Sequence, residues 1–269
     1  MPDPQPITVA DLIADLDAEQ RALDAVVAPL PDDEWALATP SPGWAVAHQI
    51  AHLLFFDRAA ALAIVDPEAF AAHRTELLAG GSGDGGIDDS ADAASLAPAE
   101  LLDAWRDGRR RLAEAAAGLA DGDRVEWYGP SMSARSFLTA RLMEAWAHGQ
   151  DIVDAVDGER PATDRLRHVA QLGVITRRWS YINRGLTVPE ADVRVELVAP
   201  SGARWEWGPA RADDLVRGGA EHFCLVVTQR RHVDDTDLQV EGPAAHGWLE
   251  RAQAFAGPPT DGPEAGSFR

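Results

Sequence analysis

Residues 141–151, RLMEAWAHGQD, constrain the fold more than any other stretch of the chain. Leu138, Leu142, Ala145, Ile152, Val153 and Val156 recur around them at the spacing of one helical face, so 134–156 reads as a long helix. With Glu144 at zero on a helical wheel, His148 falls at about 40°, Arg141 at about 60° and Asp151 at about −20°. The apolar side chains fill an arc from about 80° to 180°. Four polar groups therefore line one edge of a buried stripe. A carboxylate and an imidazole one turn apart can share a cation, and the remaining ligand must come from elsewhere in the chain.

The same periodicity predicts helices over 9–28, capped by Thr8, over 45–65 with a short continuation to 78, over 97–119 and over 163–183. Residues 39–44, TPSPGW, make a firm turn before the second helix. Residues 79–92 hold five glycines and four aspartates and are expected as a flexible surface loop. After Gly185 the pattern changes. VRVELV at 193–198 and RWEW at 204–207, joined through Pro200, Ser201 and Gly202, predict a hairpin. A helix over 218–229, a short strand over 238–240 and a helix over 244–255 follow. The expected fold is mainly α: a helical bundle over 1–185, a small α+β domain over 188–256, and a disordered Gly/Pro tail over 257–269.

Charge narrows the partners. Forty-four acidic against 24 basic residues give a net charge of −20, which argues against a nucleic-acid backbone or an anionic membrane. The start of the chain carries no signal-peptide pattern and the longest apolar run, 53–65, is interrupted by Asp57 and Arg58, so a cytoplasmic protein is expected. The single cysteine, Cys224 in HFCLVV, excludes an internal disulfide and a Cys-rich metal site.

The missing ligand is sought on the second helix. His52 lies near its inward arc, with Ala45 and Ala63 at about 20°, Ala59 at about −20° and Phe56 at about 40°. Small neighbours would leave room for an ion. His52, Glu144 and His148 then form a two-histidine, one-carboxylate set with coordination positions left open, as catalytic sites require. His48, one turn before His52, would close the site as a fourth ligand; a role behind the ligands or against substrate is preferred. Asp151 is expected to orient His148, with an ion pair to an arginine as the alternative, and Arg141 flanks the set. Tyr128, Ser131 and Ser133 precede the fourth long helix and are candidates for the pocket lining; an N-cap is the alternative for either serine.

GWAVAHQIAHL at 43–53 and SARSFLTARLMEAWAHGQDI at 133–152 resemble the two signatures of the DinB-like metal-dependent superfamily, in the branch typified by mycothiol-dependent maleylpyruvate isomerase. The resemblance spans nearly the whole chain. It implies an up-down helical bundle with a small C-terminal domain, and metal ligands that match His52, Glu144 and His148. It further implies a divalent ion, usually zinc although nickel and others occur, and a low-molecular-weight thiol such as mycothiol as cosubstrate. Arginines of the second domain are expected to bind acidic substrate groups; Arg230 and Arg231 are the best matches, with a solvated basic turn as the alternative. The implied activity is S-transfer to, or isomerisation of, a small electrophile. A hydrolase in which the ion activates water, and a metal-binding module without activity, are the alternatives. A homodimer is left open.

Overall fold

In a computed structural model the protein is described over residues 7–80 and 90–268. The chain divides into two compact units between Arg160 and Pro161. The first contains helices α1 (Val9–Val27), α2 (Val46–Val65), α3 (Pro67–Gly80), α4 (Ala91–Ala94), α5 (Pro98–Ala116) and α6 (Ala134–Ala155), with a short ribbon of β1 (Arg124–Val125) and β2 (Met132–Ser133) before α6. The expected 79–92 loop falls largely on residues 81–89, outside the described ones.

Thr8 starts α1 as predicted. Its hydroxyl accepts from the Asp11 amide at 3.2 Å, and the Asp11 carboxylate accepts from the Thr8 amide at 2.9 Å, a reciprocal cap. Helix α2 packs against α5 and α6, and α1 against α6. Leu23, Ile50, Leu53, Leu54, Leu101, Trp105 and Ile152 meet in the core, all fully or almost fully buried. Asp24 on α1 ties this core to α5 by accepting from Arg106 Nε and Nη2 at 2.9 and 2.7 Å and by pairing with Arg109. Gly149 lets α6 approach the Arg160 guanidinium, which a Cβ there would strike. Arg160 in turn donates to the Trp146 carbonyl at 2.9 Å and pairs with buried Glu19 at 3.3 Å.

The second unit holds α7 (Leu166–Ile175), α8 (Arg177–Ile182), β3 (Val193–Val198), β4 (Arg204–Trp207), β5 (Asp214–Gly219), α9 (Ala220–Val227), β6 (Gln239–Glu241) and α10 (Pro243–Leu249). Its sheet runs in the order β4-β3-β5-β6, with β3 parallel to β5 and the other pairs antiparallel. Asp214 enters the interior to cap α10; its carboxylate accepts from the Ala244 and Ala245 amides at 2.6 and 2.9 Å.

The mainly α class with a small α+β second part holds. Several boundaries differ from expectation. The bundle does not extend to residue 185, because α7 packs on α9: a Cβ at Gly173 would lie 2.7 Å from Val227 Cγ2. Helical periodicity reports an apolar face but not its partner. The expected 163–183 helix breaks at Thr176, which leaves α conformation while its hydroxyl bonds back to the Leu172 carbonyl at 2.8 Å. Strand β5 was not anticipated; its short alternation ends in Gly218-Gly219, which reads as a turn. The described tail residues make contacts of their own. Thr260 Oγ1 donates to Gln229 Oε1 at 2.5 Å, the Gly266 amide to Asp235 at 2.8 Å, and Phe268 lies under the Arg231 guanidinium at 4.1 Å.

Candidate metal centre

The turn before α2 shapes one side of the site. Gly43 adopts φ +80°, a conformation open to glycine, and the chain folds back so that the Thr39 amide donates to the Trp44 carbonyl at 2.8 Å. The indole of Trp44 is thereby set against two imidazoles, 5.2 Å from His52 and 5.9 Å from His148 between ring centroids. On α2, Phe56 lies 4.7 Å from His52. Two aromatic rings, Trp44 and Phe56, thus stand beside His52.

Helix α6 begins at Ser133, whose hydroxyl accepts from the Ser136 amide at 3.2 Å, and it carries Glu144 and His148 on one face. His52 comes from α2. One oxygen, Glu144 Oε2, lies 3.1 Å from His148 Nε2 and 3.7 Å from His52 Nε2. The imidazole centroids are 4.2 Å apart. Among the described residues, these three form the group whose ligand atoms all fall within 4.8 Å of one another. Tetrahedral zinc with bonds of about 2.05 Å has ligand–ligand edges of about 3.3 Å, so the two measured edges bracket the size the ion needs. Nitrogen, oxygen and nitrogen donors suit a borderline divalent cation. The side chains keep 13%, 23% and 12% exposure for His52, Glu144 and His148, and the Nε2 atom of His52 is buried. Burial pushes the Glu144 carboxyl up, but the imidazoles of His148 and His52 beside it and the charge of Arg141 hold it well below the usual carboxylate range. It stands ready as an anionic ligand.

The flanking residues divide sharply. His48 belongs to the cap of α2: its Nδ1 accepts from the Ala45 amide at 3.1 Å, and it is not in the ligand group. Asp151 Oδ2 stands 4.0 Å from His148 Nδ1 and accepts from Ser41 Oγ at 3.0 Å. The closer partner of that nitrogen is Gln49 Oε1, at 2.5 Å. Sequence reasoning passed over Gln49; the available signal was a polar residue on the inward arc between His48 and His52. Arg141 is buried and turns to Asp57, 3.5 Å away, with its guanidinium 5.5 Å from the Phe56 ring. Asp57 also accepts from Gln20 Nε2 at 3.0 Å.

The expected lining and substrate-binding residues each have partners of their own. Tyr128 bonds to His73 Nε2 at 3.2 Å and stands edge-on to Phe56, with 5.8 Å between ring centroids. Ser131 accepts from Arg124 Nε at 3.1 Å on the β1–β2 ribbon, and Ser133 caps α6. Arg230 and Arg231 lie in the second unit, where their Nη1 atoms donate to the carbonyls of Thr228 and Arg230, each at 2.7 Å.

Comparison with known proteins places the chain in a family. The family model of the mycothiol maleylpyruvate isomerase N-terminal domain matches residues 16–153, which include all three candidate ligands. Two uncharacterized proteins of Mycobacterium tuberculosis are 50% identical over 263 residues, covering 97% of this chain and 100% of theirs. Crystal structures of the mycothiol-dependent maleylpyruvate isomerase and of a histidine-to-alanine variant share the fold. Their TM-scores are 0.57 and 0.56 at 17% identity, over 91% of this chain and 99% of theirs. The chain belongs to the family of the mycothiol maleylpyruvate isomerase N-terminal domain.

Proposed function

We propose that this protein is a divalent-metal-dependent enzyme that uses a low-molecular-weight thiol of the mycothiol type to transfer sulfur to, or isomerise, a small electrophilic substrate. The observation that carries the reading is the convergence of His52, Glu144 and His148 on one point. These three side chains would hold the ion, with zinc as the proposed metal. A bound divalent cation lowers the pKa of a thiol enough to expose its thiolate at neutral pH.

The chain's own residues frame that chemistry. Trp44 and Phe56 wall the site with apolar rings, which keep bulk water from the reacting atoms. Glu144 supplies negative charge without competing for a proton. The thiol must come from outside, because Cys224 is fully buried and burial pushes its own thiol well above the ordinary range. In the transfer reaction the thiol gives up its proton and a sulfur–carbon bond forms at the electrophilic carbon as its π bond or its bond to a leaving group breaks; the proton ends on the adduct or departs with the leaving group. In isomerisation that bond forms, the substrate rotates about the now single carbon–carbon bond, and elimination returns the thiol. No helix of the described residues is long and apolar enough to cross a membrane. The proposed compartment is the cytoplasm, where small thiols are kept reduced.

Mass spectrometry after incubation of the zinc-loaded protein with mycothiol and a panel of electrophilic acids tests this reading. A thiol conjugate, or a substrate isomer that forms only when thiol is present, is the expected result. Gain of water without thiol would replace the reading with hydrolysis. No turnover at all would leave a binding module.

A further inference from the structure

We infer that Gln49, locked by Thr39 and the Trp44 carbonyl, is a positioning residue that selects the tautomer of His148 and so aims its Nε2 lone pair at the metal. The inference rests on the proposed metal site but is carried by a separate chain of hydrogen bonds. Gln49 is completely buried on α2. Its Oε1 lies 2.5 Å from His148 Nδ1, and its Nε2 lies 2.8 Å from Thr39 Oγ1.

An amide can present either end to an imidazole, so these two contacts alone do not set the direction. The third contact does. Thr39 Oγ1 lies 2.9 Å from the Trp44 carbonyl oxygen, which can only accept. A hydroxyl has one proton, and that proton goes to the carbonyl. Thr39 must then accept from the amide nitrogen of Gln49, which leaves Oε1 facing His148. A carbonyl oxygen requires a donor, so His148 carries its proton on Nδ1. In the neutral ring Nε2 is then the lone-pair nitrogen, 3.1 Å from the carboxylate oxygen of Glu144. Two acceptors at that separation call for a positive centre between them. The turn at 39–44 thus does more than shape the pocket wall: its backbone carbonyl determines, three hydrogen bonds away, which nitrogen faces the ion. Asp151 accepts from Ser41 and stands farther from Nδ1, at 4.0 Å.

The test uses the full chain, with zinc affinity measured by competition against a chromogenic chelator and the His148 tautomer read from imidazole nitrogen shifts in the neutral ring. Gln49→Leu removes the acceptor and is expected to weaken zinc about 10- to 100-fold, the usual cost of losing a ligand's supporting partner. Gln49→Glu keeps an acceptor at Nδ1 and is expected to retain affinity within a few-fold. Thr39→Val releases the amide to turn over; it should give a smaller loss and a mixture of tautomers, while Thr39→Ser behaves as the natural protein. Thermal unfolding of each metal-free variant separates tautomer control from loss of fold. If Gln49→Leu does not fold, Thr39→Val decides alone. A wild-type His148 with its proton on Nε2, or a Thr39→Val protein with an unmixed Nδ1–H ring, overturns the inference. So does undiminished zinc binding by Gln49→Leu. If the natural protein binds no zinc, the metal reading fails, while the nitrogen shifts still decide the tautomer.

Discussion

Asp57 is buried inside the bundle, and burial raises its carboxyl pKa to about 6, against the lowering influence of the Arg141 charge. Between the ordinary value of 3.8 and about 6, the folded protein holds a proton that the unfolded chain has released. Acidification through that window therefore adds stability from this group, by up to about 3 kcal/mol. Asp57→Asn removes the dependence. In urea unfolding at pH 7 and near pH 4, the stability gap between natural protein and variant should move toward the natural protein as the pH falls; a constant gap would contradict the account. His48 poses a second single-residue question. As a capping group its replacement by Ala should cost about 1 kcal/mol of stability and leave metal content unchanged. Loss of metal in His48→Ala would return it to the ligand set.

At the scale of elements, the ties between helices carry separate predictions. Asp24 joins α1 to α5 through two arginines, and Asp24→Asn should destabilise the bundle by about 1–3 kcal/mol in urea unfolding. Hydrogen bonding by Arg106, with the charge of Arg109 adding to it and partial burial opposing it, lowers the pKa of Asp24. Its contribution is thus present above the ordinary carboxylate value and disappears as the pH falls through the lowered one, opposite in sign to Asp57. Gly149→Ala places a methyl group against the Arg160 guanidinium, which Glu19 and the Trp146 carbonyl hold in place; a loss of about 1–3 kcal/mol is expected. An unchanged unfolding midpoint would show that Arg160 yields.

The helices and the clustering of the candidate ligands were legible in the sequence because both rest on local spacing. The Glu144–His148 pair and the inward place of His52 follow from 3.6 residues per turn. What was not legible depends on choices made across the fold. His48 spends its Nδ1 on the backbone of its own helix, which a wheel cannot show. Gln49 matters because a turn ten residues away offers it a hydroxyl. Arg141 and Asp57 find each other across two helices, and α7 packs on α9 within the second unit. Strand β5 needs β3 as its parallel partner before its short alternation means anything.

For the whole molecule, the account reduces to one cation held by two helices of the bundle. Ion binding to the folded chain alone should raise its stability, by about 2.7 kcal/mol when free zinc stands at 100 times Kd. The most direct measurement is the metal content of the purified protein after zinc loading and exhaustive dialysis, beside His52→Ala, Glu144→Gln and His148→Ala. The account predicts about one divalent ion per natural chain and near-complete loss in each folded variant. A natural protein that retains no ion, or variants that keep it in full, would contradict it.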